Sequence, residues 1–422
     1  MSSDPRLGVV DADCQVHGVD GLFISGSSVF PTGGHANPTQ LIVAMAIRLA
    51  DNLKSRSRDA AKPVVAKPVV AKPVLVRSTE SVGAAPADRP RVLVTGASGR
   101  IGRHLVPELL ARGYSVRALT SKPTASASQD PADVEWRHHD FLENLDFKPH
   151  MAGCSAVLHL GAEIENIPKM HRVNVEATQA LVRAAENACI RFFCYTSSIS
   201  VYGTTLTRTI TEDSPVVTPD RAVPGEFWTE ERAQVYGRTK LGGEMALRQE
   251  ARAGEYVIFR PTSVVDVPDL VKSLDWGMKR KILLGHRHTH HIYVRDVVNA
   301  VIWFMERSLA RDVPQPGISL FNLADDDPAS GTYADFFRKA YQATGDKRFA
   351  CPVQAPWVFD YLRQVAQYRS WPLRVPRGIV VFPPDRLYAT GYRHRFGMAK
   401  AQELAIKTLE RQPRIGTVAL EH

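Results

Sequence analysis

The stretch that most constrains this chain is RVLVTGASGRIGRHLVPELLARGYSVRAL, residues 91–119. A short apolar strand, Val92 to Val94, runs into a glycine-rich turn, then an amphipathic helix, then a second strand. Gly96, Gly99 and Gly102 are spaced G-x-x-G-x-x-G. Such spacing makes a tight turn at a strand's end, lets the backbone approach a pyrophosphate, and aims a helix N-terminus at that anion. Taken alone, the same glycines also fit a turn chosen for packing. Further on, SAVLHLGA, FFCYTSSI and EYVIFRPTSV each place an apolar strand after a helical stretch. The alternation predicts an α/β fold, a Rossmann-type doubly wound parallel sheet. A nucleotide-binding domain is expected over residues 91–260. The less regular, more aromatic region 261–422 reads as a smaller C-terminal substrate-binding subdomain.

Ahead of this piece, AKPVVAKPVVAKPV repeats a five-residue unit from Ala61 to Val74. Proline removes a backbone donor and keeps the preceding lysine out of the helical region, so the repeat reads as an extended spacer. The chain therefore divides into an N-terminal piece over 1–58, a linker over 59–90, and the large piece. The net charge of +9 hints at nucleic acid, but Lys54 to Arg77 holds seven basic residues against one acid. The excess sits in the linker, no basic-aromatic face stands out, and nucleic acid is not an expected partner. No apolar run is long enough to span a membrane, and the N-terminus has no secretory pattern. Cys14, Cys154, Cys189, Cys194 and Cys351 form no C-x-x-C pair. An odd, scattered set fits free thiols in a reducing, cytoplasmic compartment, with no metal site legible.

Three further motifs carry chemistry. YGRTK sets Tyr236 and Lys240 four residues apart, on one helix face. A nearby ammonium favours phenolate and makes tyrosine a usable acid/base. YTSSISVYG follows an apolar strand and offers Ser198 to hold a substrate oxygen. HRVNVEATQALVRAA puts Asn174 at a helix start. Singly, each has an ordinary structural reading: a strand-end serine, a tyrosine packed beside a solvated lysine, an N-cap.

In this order, T-G-A-S-G-R-I-G, V-L-H-L-G-A, N-V-E-A-T, S-S-I-S-V-Y-G, Y-G-R-T-K and R-P-T-S-V resemble the extended short-chain dehydrogenase/reductase family, the NAD-dependent epimerase/dehydratases, over residues 91–345. HHIYVRDVVNA resembles the family's later strand-to-helix segment. The resemblance implies Tyr236 as acid/base, Lys240 on the nicotinamide ribose and tuning Tyr236, Ser198 orienting the substrate oxygen, and Asn174 organising the helix and water. It implies cofactor contacts from Gly96, Ser98, Gly99, Arg100, Ile101, Gly102 and Gly161, with Asp140 at the adenine. The second strand ends RALTSKP, without the acid that often binds the ribose 2′-hydroxyl. Thr120, Ser121 and Lys122 suit a 2′-phosphate, with help from Arg100 or Arg103, so NADP is expected ahead of NAD. A small-molecule substrate is implied, with reductase, epimerase and dehydratase all open, as is a homodimer.

Nucleotide-sugar enzymes of the family often carry an arginine just before the YV-D strand. Thr289 and His290 stand there, with Arg287 earlier, which weakens a nucleotide-sugar substrate. A steroid-like substrate is the other class. Trp357, Phe359, Tyr361, Tyr368 and Trp371 are expected mostly in the core, with a pocket wall as the alternative. His286, His288, His290 and His291 alternate as a chelating strand could, but no carboxylate or thiolate accompanies them, so they read as a polar pocket wall or exposed strand.

Residues 4–53 resemble the C-terminal end of the glucose-methanol-choline (GMC) flavin oxidoreductases, through GLFISG, S-x-F-P and an N-P-T helix start. This implies a short strand-helix fragment in which Gly26, Ser27, Asn37, Pro38 and Thr39 match flavin-contacting positions, with His35 near. The family's FAD motif and principal histidine precede this segment. The flavin site is therefore read as vestigial, with FAD expected only where an upstream GMC domain or a separate flavin-domain partner supplies the rest. Two rival readings follow, the downstream part of a GMC–reductase fusion and a non-catalytic NADP-sensing protein.

Overall fold

The computed structural model describes residues 2, 4, 6, 8–19, 23–24, 48–49, 90–121, 134–221, 226, 230–288, 291–326, 331–350, 353–368, 375 and 377–411. Two compact units divide the chain, Met1–Gly83 and Ala84–His422. In the first, bridges pair Val10 with Val16 and Gln15 with Phe23. The Asp11 carboxylate there accepts the amides of Asp13 and Gln15, each at 2.9 Å. The flavin-like positions Gly26, Ser27, His35, Asn37, Pro38 and Thr39 lie outside the described residues, as do Lys122 and residues 59–89 of the linker.

The second unit is built on a seven-stranded parallel sheet. Its strands are β1 Arg91–Thr95, β2 Ser115–Thr120, β3 Val134–His138, β4 Cys154–His159, β5 Phe192–Thr196, β6 Glu255–Pro261 and β9 Gly317–Leu323. They lie in the order β3-β2-β1-β4-β5-β6-β9, every neighbouring pair parallel. This is the doubly wound arrangement expected from the alternation. The direction of winding reverses between β1 and β4, and ligands bind at such a switch point, beyond the carboxyl ends of the strands.

Strands buried on both faces alternate two cores. Val92, Val94, Leu158, Cys194 and Val257 face α1 (Gly102–Ala111), through Leu105 and Leu109, and α7 (Val294–Leu309), through Val297, Val301 and Met305. Leu93, Val157, Phe193, Tyr195 and Ile258 face α3 (Ala177–Asn187), through Leu181 and Ala185, and α4 (Glu231–Glu250), through Leu247. Leu105 and Leu181 are fully buried, and truncating such a leucine to alanine costs about 2–5 kcal/mol.

After β6 the chain leaves the sheet. A two-stranded parallel pair, β7 (Ser263–Val265) and β8 (His291–Tyr293), brackets α5 (Val267–Leu274) and α6 (Met278–Leu284). The chain returns as β9, then adds α8 (Tyr333–Thr344), α9 (Trp357–Tyr368) and α10 (Gly397–Arg411). A third core joins Leu270 and Leu274 of α5 to Phe336 and Phe337 of α8 and to Met398 and Ala405 of α10. This layer walls the far side of the switch point.

Candidate active site

A cavity of about 1420 Å³ opens over the carboxyl ends of the strands. Its floor is the turn after β1. Gly96 has φ +66°, and a Cβ there would lie 2.7 Å from the Gly161 amide nitrogen. At Gly102 a Cβ would lie 2.4 Å from the carbonyl oxygens of Gly96 and Ala97. Side chains are excluded at both positions. The glycines let the turn meet the loop after β4 and seat the start of α1 on the turn, leaving a cradle of backbone for a pyrophosphate. Gly96, Ser98, Gly99, Arg100, Ile101 and Gly161 line the cavity. Gly102 lies beneath it, in a packing role. Residues at this cradle fit a dinucleotide.

At the β2 and β3 ends the lining includes Thr120, Ser121, His139 and Asp140. The Asp140 carboxylate accepts the Leu142 amide at 2.8 Å, which folds the loop after β3. The expected help from Arg100 and Arg103 at a 2′-phosphate is corrected here. The Arg100 guanidinium pairs with Asp269 of α5, and Arg103 lies 3.8 Å from Asp266. Both cations stand at the capping box that opens α5, where Asp266 and Asp269 carry the negative charge they pair with.

Ser198 caps the turn Ile199–Tyr202 just past β5, its hydroxyl accepting the Ser200 amide at 3.1 Å. Tyr236, half-buried on α4, lines the same wall as Ser198. Desolvation pushes the Tyr236 phenol up to about 12, the nearby Ser198 hydroxyl pulling the other way. Lys240 follows one turn later but does not line the cavity. Its ammonium stands 4.2 Å from the Tyr195 ring centroid. Burial pulls it down to about 7, against the field of Glu244. Burial governs both groups, and the cation rests on an aromatic face beneath the wall.

Asn174 corrects a second expectation. It is not at a helix start but inside the π-helical turn Arg172–Glu176, which joins α2 (Ile167–His171) to α3. A π-turn turns a side chain out of the ordinary ladder. Asn174 uses that freedom fully. Its amide oxygen accepts the Glu163 amide at 2.8 Å, and its nitrogen donates to the Glu163 carbonyl and the Thr239 hydroxyl, both at 3.0 Å. It therefore ties the loop after β4 to the helix carrying Tyr236.

Two buried networks were not foreseen. Thr178 donates to the Asn174 carbonyl at 2.8 Å, so its oxygen accepts from His159 Nε2 at 3.0 Å. His159 Nδ1 then accepts from Thr95 at 2.7 Å, and Thr95 in turn accepts the Gly161 amide at 3.2 Å. Burial drives His159 down to about 3, so it stays neutral. This chain runs from the glycine turn to α4. In the second network, Glu244 and Arg260 form a bidentate pair at 2.6 and 2.9 Å. Ser197 donates to Glu244 at 2.5 Å, and Arg260 donates to Tyr202, which donates to Asn322 at 2.7 Å. The sequence did carry signals: Glu244 lies four residues after Lys240, and Arg260 is the one basic residue in the apolar strand EYVIFRP.

The far end of the cavity has Ile164, Val265, Trp276 and Tyr333 among its walls. Trp276 and Tyr333 lie with ring centroids 4.6 Å apart. The histidine run does not form one strand. His286 sits in the turn after α6, its Nδ1 hydrogen-bonded to the Leu283 carbonyl at 3.1 Å. His288 and His291 line the cavity, and His290 and Thr289 lie outside the described residues. Among the described residues no group of three or more His, Cys, Asp or Glu is placed to hold a metal. Arg287 is committed to Asp360 of α9, at 2.5 and 2.6 Å. Trp357 and Phe359, expected in the core or a pocket wall, are in neither, being exposed on α9.

Comparison with known proteins fits this geometry. Residues 1–46 match the family model described as GMC oxidoreductase. Cinnamoyl-CoA reductase 1 of Oryza sativa subsp. japonica is 27% identical over 246 residues, 53% of this chain and 70% of that protein. Sterol demethylase protein B of Methylococcus capsulatus is 30% identical over 231 residues, 51% of this chain and 66% of that protein. A solved short-chain dehydrogenase/reductase superfamily protein from Agrobacterium tumefaciens, with bound NAD, shares the fold. It has TM-score 0.55 and 24% identity, covering 76% of this chain and 97% of its own. The model of the NAD dependent epimerase/dehydratase family matches residues 92–316, just over half of the chain, and the chain belongs to that family.

Proposed function

We propose that this chain is an NADP-preferring reductase or dehydrogenase that moves a hydride between nicotinamide and the hydroxyl or carbonyl carbon of an apolar small molecule. The observation that carries the proposal is that Tyr236 and Ser198 line one wall of the cavity, beyond the carboxyl ends of β5 and β6. The cofactor, when bound, supplies or accepts the hydride. Gly96, Ser98, Gly99 and Ile101 would hold its pyrophosphate, Thr120 and Ser121 its 2′-phosphate, and Asp140 its adenine. A phenol raised to about 12 keeps its proton at neutral pH, so Tyr236 is ready to donate to a carbonyl oxygen that Ser198 orients. Lys240, beneath, would regulate that donation through its charge, while Asn174 fixes the height of α4. Ile164, Val265, Trp276 and Tyr333 favour an apolar substrate, and the printed names of the two curated relatives include a reductase and a sterol-processing protein.

The test is a titration of the purified chain with NADPH and NADH, followed by nicotinamide fluorescence, and then a screen of carbonyl substrates. NADPH should bind at least tenfold more tightly. A preference for NADH, or NAD retained through purification, would instead indicate an epimerase or dehydratase. A second reading attaches to the GMC match over residues 1–46: this segment completes a flavin-domain partner. FAD retained on co-expression with such a domain, and absent from the chain alone, would establish it.

A further inference from the structure

Helix α9 is turned inside out. Asp360 (1% exposed) and Gln364 face inward, while Phe359 (57%) and Leu362 (56%) face solvent together with Trp357 and Val358. Val353, just before the helix, is exposed as well. The inward face is held by charge. Asp360 receives Arg287 at 2.5 Å and Arg363 at 3.0 Å, with His286 at 3.6 Å. These contacts fix the rotation of the helix, so the outward apolar face is a consequence of the fold and not of fraying. Exposed apolar stripes of this kind mark contact surfaces.

We propose that α9 is an interfacial helix that lays Val358, Phe359 and Leu362 into the headgroup boundary of an anionic lipid surface. Charge complementarity selects that occupant. Helix α6 packs against α9, and the Ala355 amide bonds the Ile282 carbonyl at 2.9 Å. That neighbour carries exposed Lys279 and Arg280 and has no acidic residue. Lys347 is also exposed close by in the chain, whereas Arg348 is paired with Asp346 at 2.7 Å. A basic neighbour beside an outward face of Val, Phe and Leu suits a helix that lies in a membrane interface. A second copy of the chain, docked about a two-fold axis, would instead set Lys279 and Arg280 against their own images. A lid role is disfavoured, because Val358, Phe359 and Leu362 do not line the cavity. No helix among the described residues is long and apolar enough to cross a membrane, so the contact is a peripheral one. Through the Asp360–Arg287 bridge it is joined to the cavity wall, at the end where an apolar substrate would enter.

The experiment is co-sedimentation of the full chain with vesicles of phosphatidylcholine, and of phosphatidylcholine containing about one third phosphatidylglycerol. The chain should bind the anionic vesicles, release at high salt, and bind neutral ones weakly. The double substitution Phe359→Ser/Leu362→Ser should weaken binding about tenfold or more, since both side chains are exposed and the fold does not rest on them. Lys279→Glu should weaken it less. Cofactor titration of each variant checks that it is folded. Absence of vesicle binding overturns the proposal. So does undiminished binding of the double variant, which would place the contact in the basic stretch Lys54 to Arg77. A dimer seen by sedimentation velocity, lost in the double variant and accompanied by no vesicle binding, would assign the face to a second copy. None of these outcomes depends on the catalytic reading of Tyr236.

Discussion

Helices α4 and α9 both bury charge, and they do so to opposite ends. In α4, Lys240 and Glu244 lie on the inner face, one turn apart, beneath the wall that carries Tyr236 and Ser198. Glu244 is matched by Arg260 from the next strand, and Lys240 is held over the Tyr195 ring with its charge poised near neutrality. In α9, Asp360 is matched by Arg287 and Arg363, partners that keep contact with solvent. The first arrangement places a titratable group under a cavity. The second fixes the rotation of a helix whose apolar side then faces out. A buried charge is informative about function only through where its partners stand. Arg260, a partner in the sheet, stays beneath the cavity wall, whereas Arg287 and Arg363 set the rotation of a surface helix.

The comparison can be broken most sharply at Tyr236. Replacing it with Phe should lower turnover by roughly 10²–10⁴-fold while leaving NADPH affinity within about threefold, whereas Phe359→Ser should leave turnover unchanged. Steady-state kinetics beside a binding titration separates the two effects, and full turnover by Tyr236→Phe would remove the acid/base role. Next in size is Arg260→Met. It strands Glu244 without its partner, and denaturant unfolding should register a loss of about 3–5 kcal/mol. Pairing it with Glu244→Leu should recover part of that loss. Asp360→Ala should cost less, about 1–3 kcal/mol, because water can take over the exposed guanidinium partners.

Lys240 offers a test by pH. Its folded value is about 7 against an ordinary 10.5, so between these limits the unfolded chain binds more protons than the folded one. Its contribution to stability therefore grows as pH rises from about 7 towards 10.5, and is lost as pH falls back. The stability difference between the wild-type chain and Lys240→Met should follow that curve. A difference that does not change over this window would mean that Lys240 is charged throughout. The smallest effect belongs to Phe359→Ser on α9, within about 0.5 kcal/mol of wild type in the absence of lipid. A loss several times larger would show that this side chain is covered by protein.

Much of the candidate site was legible because its signals are local. The Gly96-Gly99-Gly102 spacing encodes a turn, and Tyr236 and Lys240 share a helix face whatever packs around them. The parallel sheet followed from alternation alone. The departures came wherever a side chain's partner is distant in sequence. Arg100 read as a phosphate ligand until α5, more than 150 residues later, presented Asp269. Asn174 read as a helix start because nothing local announces a π-turn. The aromatics of α9 read as core because hydrophobicity was weighed without knowing that Asp360 had Arg287 to hold it inward.

By itself, then, the sequence determined the strand-turn-helix frame, the glycine turn and the shared helix face of Tyr236 and Lys240, since all three rest on backbone geometry and spacing within a few residues. Tertiary structure alone decided the burial of Lys240 over the Tyr195 ring, the tautomer of His159, the pairing of Glu244 with Arg260 and the outward face of α9. Each of these depends on desolvation and on partners from other elements, and neither exists until the chain has folded.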